Sequence, residues 1–116
     1  MDIKKDAVID LELGAQILGR DKSCAKKMIS LMLESFSQED KLPLEQACKQ
    51  KKWHEITNIV DKLNGGILYC GTPRLRTVVT CLSEVLKIKH FKLAEKLCRQ
   101  FMNEIMSVEK ALGSYR

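Results

Sequence analysis

Asp61 is followed one turn later by two consecutive glycines, in the stretch Val60-Asp61-Lys62-Leu63-Asn64-Gly65-Gly66. The surrounding pattern is helical, and each interior glycine costs a helix about 1 kcal/mol relative to alanine. A pair of them suits a backbone that another molecule must approach closely. Trp53, Ile56, Val60, Leu63, Ile67 and Cys70 alternate at spacings of three and four, which makes an apolar seam like that of a coiled coil. With that seam turned inward, His54, Asn58, Asp61 and Gly65 line up towards solvent, and Lys62 and Gly66 form the adjacent row. The stripe would therefore present a carboxylate with bare backbone beyond it. The plainer reading is a solvated helix charge, with glycines that let two helices pack closely.

Other reactive side chains are dispersed. His54 lies about 10 Å before Asp61 along the same helix and has no glycine shelf beside it. His90 falls in a connection and is given no role. The five cysteines (Cys24, Cys48, Cys70, Cys81, Cys98) include no Cys-x-x-Cys pair, and zinc sites want closely spaced thiolates. They read as isolated free thiols. Cys24, Cys70 and Cys98 fall on apolar stripes, where a thiol behaves as a small hydrophobe. No Cys/His pair at useful spacing, no phosphate-cradling loop and no metal cluster is visible. The expectation is no enzymatic activity, no metal and no cofactor.

A chain of 116 residues, 45% hydrophobic and 30% charged, is one domain (1–116) with a core of its own. Residues 1–9 are expected to lie loosely at its start. The net charge of +5 is spread along the chain and aromatics make up 5%, so a focused nucleic-acid patch is not expected. Met1 to Asp6 is too charged for a signal peptide, and no apolar run approaches the ~20 residues of a membrane span. Free cysteines fit a reducing cytoplasm.

Helical spacing appears almost everywhere and strand alternation nowhere. Asp10 caps a short helix through Leu18, stopped by Gly19. Asp21 or Ser23 caps a second, expected to run to about Ser37, with Cys24, Met28, Leu31, Met32 and Phe36 inward and Ala25, Ile29 and Leu33 widening that face. A third segment spans roughly 38–51, with Leu42, Leu44 and Ala47 inward and Pro43 near its beginning. The seam helix follows and Gly71 breaks it. Thr72-Pro73 starts the next as cap and first helical residue, with Leu75, Val78, Val79, Leu82, Val85 and Leu86 inward. After a connection at 87–90, the last helix buries Ala94, Leu97, Cys98, Phe101, Ile105, Val108 and Leu112, and Gly113 ends it. Short connections favour antiparallel neighbours. The expected fold is all-α, an antiparallel up-and-down four-helix bundle with one or two short N-terminal or connecting helices.

The run from Val60 to Gly66, continued by Tyr69-Cys70-Gly71-Thr72-Pro73-Arg74-Leu75, resembles the histidine-containing phosphotransfer (HPt) domain. It is most similar to the HPt modules at the C-terminus of bacterial tripartite hybrid sensor kinases. The family pattern is a histidine, a variable residue, Leu, a polar residue, Gly, and a second Gly some six residues on. Leu63, Gly65, Gly71 and the Pro73-Arg74-Leu75 helix start match it, and the resemblance extends from about residue 10 to the C-terminus. It implies docking of a receiver domain through a face containing Asn58, Asp61, Lys62, Asn64, Gly65, Gly66 and Leu68, by a cytoplasmic monomer with no nucleic acid or membrane partner. One departure bears directly on function: Asp61 occupies the phosphoacceptor position, so no catalytic residue is assigned. Imidazole is nucleophilic while neutral near pH 7; a carboxylate is weaker and like-charged towards a receiver's acidic pocket. The resemblance thus implies a module that docks a receiver without relaying phosphate. A functional relay domain whose histidine was substituted, or a helical adaptor outside signalling, are the alternatives.

Overall fold

The computed structural model describes residues 6–115, all of whose regular structure is helical. The first five residues of the expected loose segment 1–9 lie outside the described residues. Ile9, at the other end of that segment, is buried in the core.

Helix α1 (Leu11–Leu18) begins where Asp10 Oδ1 accepts the Leu13 N–H at 3.0 Å. It ends at Gly19, which takes the left-handed conformation (φ 65°). Helix α2 (Lys22–Ser35) is capped by Asp21, whose side chain accepts the Cys24 N–H at 3.0 Å. No break follows at Ser37, contrary to expectation. A π-helical turn, Phe36–Asp40, leads directly into α3 (Lys41–Lys49). There the Lys41 N–H donates to the carbonyl of Phe36, five residues back, which widens the helix by one residue. The wider turn accommodates Pro43, which has no N–H and sits in the first turn of α3.

The face buried by this long run also differs from expectation. Cys24, Leu31 and Leu42 are exposed. The buried line is Ala25, Ile29, Leu33, Phe36, Asp40, Leu44 and Ala47. Periodicity located the stripe but not its centre, because apolar residues flank it on both sides and propensity alone cannot choose among them.

Helices α4 (Trp53–Ile67), α5 (Pro73–Lys87) and α6 (Phe91–Gly113) bury the residues their spacing indicated, except that Val85 is only half-buried against the core. Two further adjustments are needed. Trp53, at the head of the seam, is half-buried and stacks in parallel on Phe91 with ring centroids 4.6 Å apart. Thr72 precedes α5 without a side-chain capping bond, and the proline at the first turn starts that helix. His90, given no role from sequence, caps α6 by accepting the Leu93 N–H at Nδ1. Neighbouring helices pack in succession: α3 on α4, α4 on α5, α5 on α6, and α6 back on α2. Phe36, at the start of the π turn, and Phe101 of α6 meet edge-on at 5.8 Å.

The connections after α3 and α5 have the same form. Lys51 (φ 54°) and Lys89 (φ 60°) are left-handed, and in each the next N–H returns to a carbonyl five residues back, Lys52 to Ala47 and His90 to Val85. A side chain in this conformation costs about 1 kcal/mol that glycine would not. Lys51→Gly and Lys89→Gly should therefore each raise the thermal midpoint by roughly 4 °C, read by circular dichroism.

Gly71 is buried where α1 crosses the connection between α4 and α5. Its carbonyl accepts the Asp10 N–H at 2.8 Å. A Cβ there would overlap the Asp10 carbonyl oxygen and lie 2.8 Å from the Gly14 nitrogen. Gly71→Ala should cost about 2 kcal/mol in denaturant unfolding through this overpacking. A change below about 0.5 kcal/mol would show that the crossing is loose.

Candidate functional site

Helix α4 is held from three sides, and that fixes what it shows to solvent. Ile56, Val60, Leu63 and Ile67 fill the core. Lys62 reaches sideways to the π turn, with its ammonium 3.2 Å from both Asp40 Oδ1 and Glu39 Oε2. Hydrogen bonds to Asp40 first, then to Glu39, hold its pKa above the ordinary lysine value. On the opposite flank, Asp61 Oδ1 accepts the hydroxyl of the buried Ser83 on α5 at 3.2 Å. Asn64 Oδ1 lies 3.5 Å from the Thr80 hydroxyl, also on α5.

What remains outward is the stripe read from sequence. His54, Asn58, Asp61, Lys62, Gly65 and Gly66 are all exposed, and His54 and Asn58 lie 3.5 Å apart along it. Leu68 and Tyr69 continue the surface beyond the helix end, with 39% and 54% of their area accessible. Asn64 is the exception among the expected docking residues, half-buried and turned towards Thr80.

The glycines divide into two kinds. Gly14 and Gly71 are packed backbone to backbone, but a Cβ built on Gly65 or Gly66 would meet nothing within 4 Å. Close packing of α4 against another part of the chain therefore does not account for this pair. Both also have ordinary helical backbone, since neither carries a positive φ. Within the molecule they cost helix stability, and nothing packs into the space their missing side chains leave.

Compared with family models, with curated proteins and with solved structures, the chain has no match. The geometry of the face is thus the ground for any functional reading.

Several residues that shape the site were missed from sequence. Asp40 could have been noticed as a carboxylate on an otherwise apolar line, and Ser83 as a hydroxyl beside the inward Leu82. Arg74, at the helix start the family resemblance singled out, is turned inward. It pairs with the buried Glu104 of α6 at 2.6 Å and so joins α5 to α6. A buried pair of this kind is costly to break, since the remaining charge would be left in an apolar setting. Cys48 and Cys98, expected to be isolated, face one another across α3 and α6. Among the described residues there is no cluster of three or more metal-ligating His, Cys, Asp or Glu side chains. No helix there is long and apolar enough to cross a membrane.

Since a Cβ at Gly65 or Gly66 would meet nothing within 4 Å, alanine at either should stabilise the isolated protein by about 0.5–1 kcal/mol. Denaturant midpoints of the two single variants would measure this. Destabilisation would mean that the glycines serve the fold after all.

Proposed function

We propose that this protein is an HPt-like module that docks the receiver domain of a response regulator or hybrid sensor kinase and does not relay phosphate. The carrying observation is the open, exposed Gly65-Gly66 backbone one turn beyond Asp61, for which the fold supplies no internal use. A partner loop could approach that backbone more closely than any side chain would permit. The protruding Leu68 and Tyr69 beside it would add apolar contact.

The proposed architecture is the antiparallel up-and-down four-helix bundle of such modules. It counts 22–49 as one long helix beside α4, α5 and α6, with α1 laid across one end. The short connections and the packing of α6 back onto α2 support that reading. The module is proposed to act as a cytoplasmic monomer.

Chemistry at position 61 favours docking over transfer. A carboxylate is a weak nucleophile beside neutral imidazole, and one oxygen of Asp61 is already engaged by Ser83. Lys62 is committed to two carboxylates, and Asn64 carries no charge to balance a phosphoryl group. Asp61 presents a charge of about −1, against nearly −2 for a phosphorylated side chain. The docked state would therefore resemble the unphosphorylated partner, consistent with a competitor or scaffold.

Two measurements test this reading. With a radiolabelled phosphorylated receiver, the unaltered chain should take up no label and Asp61→His should accept it. Label on the unaltered chain would overturn the inactive assignment. Gly65→Arg should weaken receiver binding at least tenfold, about 1.4 kcal/mol. Open space at that position lets the helix carry the arginine, so unchanged affinity would remove the docking face.

A further inference from the structure

A second feature lies away from the Asp61 face, where α3 and α6 border a cavity of about 450 Å³. Its lining includes Leu44, Trp53 and Met102 together with two thiols, Cys48 from the last turn of α3 and Cys98 from the first half of α6. Both thiols line this one cavity, and each lies close enough to perturb the titration of the other. They are not equivalent. Cys48 is half-buried and open to the cavity, whereas Cys98 belongs to the core.

We propose that Cys48 and Cys98 form a redox-active dithiol, in which Cys48 is oxidised by a hydroperoxide and Cys98 resolves it to a disulfide joining α3 to α6. The Cys48 thiolate attacks the peroxide, whose O–O bond breaks. Cys48 becomes a sulfenic acid and the peroxide leaves, with a proton, as an alcohol or water. The Cys98 sulfur then attacks the Cys48 sulfur, the S–O bond breaks, and the hydroxyl leaves as water. Two thiols and one hydroperoxide thus give one disulfide, one alcohol (or water) and one water. This is a two-electron exchange that needs no bound cofactor.

The surroundings agree with that division of labour. The Cys98 thiol donates to Cys48 and so favours the Cys48 thiolate, lowering its pKa against the opposing effects of burial and of Glu45. Interaction with Cys48, and then burial, push the Cys98 thiol upward. Nucleophilic and resolving thiols need this order. Lys49, Lys51 and Arg99 line the same cavity, although Lys51 is partly neutralised by its 3.4 Å pair with Glu95. Cys70 and Cys24 differ from this pair. Cys70 is pushed up to about 11 by burial alone, and Cys24 stands on the surface of α2.

The test uses the full chain carrying Cys24→Ser, so that crosslinks between molecules do not obscure the result. After hydrogen peroxide, intact mass should fall by two hydrogen atoms, and peptide mapping should show Cys48 linked to Cys98. Cys98→Ser should instead trap a dimedone adduct at Cys48, and Cys48→Ser should leave Cys98 unmodified. A linkage through Cys70 or Cys81, or free thiols at both 48 and 98 after peroxide has oxidised Cys24 of the unaltered chain, would overturn the proposal. The mapping on a chain with both thiols intact does not depend on whether either serine variant folds.

Discussion

A carboxylate in the buried line of the first long helix governs how the neighbouring helix is turned. Asp40 lies between Phe36 and Leu44 on that line, 6% exposed, and a charge so placed must be paired. Lys62 meets it at 3.2 Å from α4. The widened turn at Phe36–Asp40 carries this charge directly into α3 without a break. Pairing Lys62 sideways, with Ile56, Val60, Leu63 and Ile67 in the core, leaves α4 one rotation. In that rotation Asp61 faces Ser83 on one flank and the Gly65-Gly66 backbone faces solvent.

The same residue type does opposite things within six positions of chain. Gly71 is required by its own molecule, because α1 passes so close that its backbone meets Gly71 directly. Gly65 and Gly66 are required by nothing in the molecule, and their helix would be better formed without them. Stability given up on an exposed face is a reasonable sign that the face is used. The contrast also divides the family resemblance in two. Gly71 and Arg74 match it as parts that hold the fold, whereas Gly65 matches it as part of the surface.

Polar groups fasten the helices to one another, and each joins a different pair of elements. Lys62 with Asp40 links α4 to the π turn, Asp61 with Ser83 links α4 to α5, and Arg74 with Glu104 links α5 to α6. Apolar packing supplies most of the stabilisation, about 1.5–3 kcal/mol for each fully buried large side chain. It is tolerant of rotation, however, and directional bonds are less so. At the end where Trp53 stacks on Phe91, α4 and α6 begin side by side. Near it lies the cavity bearing Cys48 and Cys98, lined in part by Trp53 itself.

The all-helical class, the inner faces of α4, α5 and α6 and the caps at Asp10 and Asp21 were legible in the sequence. They rest on spacing and on side chains acting within one turn of themselves. The outward stripe through His54, Asn58, Asp61 and Gly65 was legible for the same reason. Where apolar residues surrounded a helix on several sides, as from Cys24 to Leu42, spacing could not say which line was central. Only packing against α6 and α4 decided that Leu31 and Leu42 stay outside and Asp40 goes in. The pairings of Lys62 with Asp40, Arg74 with Glu104 and Cys48 with Cys98 join residues 22, 30 and 50 positions apart, and no local rule reaches so far. The glycines show the division most plainly. The sequence marked Gly65-Gly66 as a pair needing a reason and Gly71 only as a helix break, and the tertiary structure separated their roles, because whether a missing side chain makes room for the chain itself or for a partner depends on what stands next to it in space.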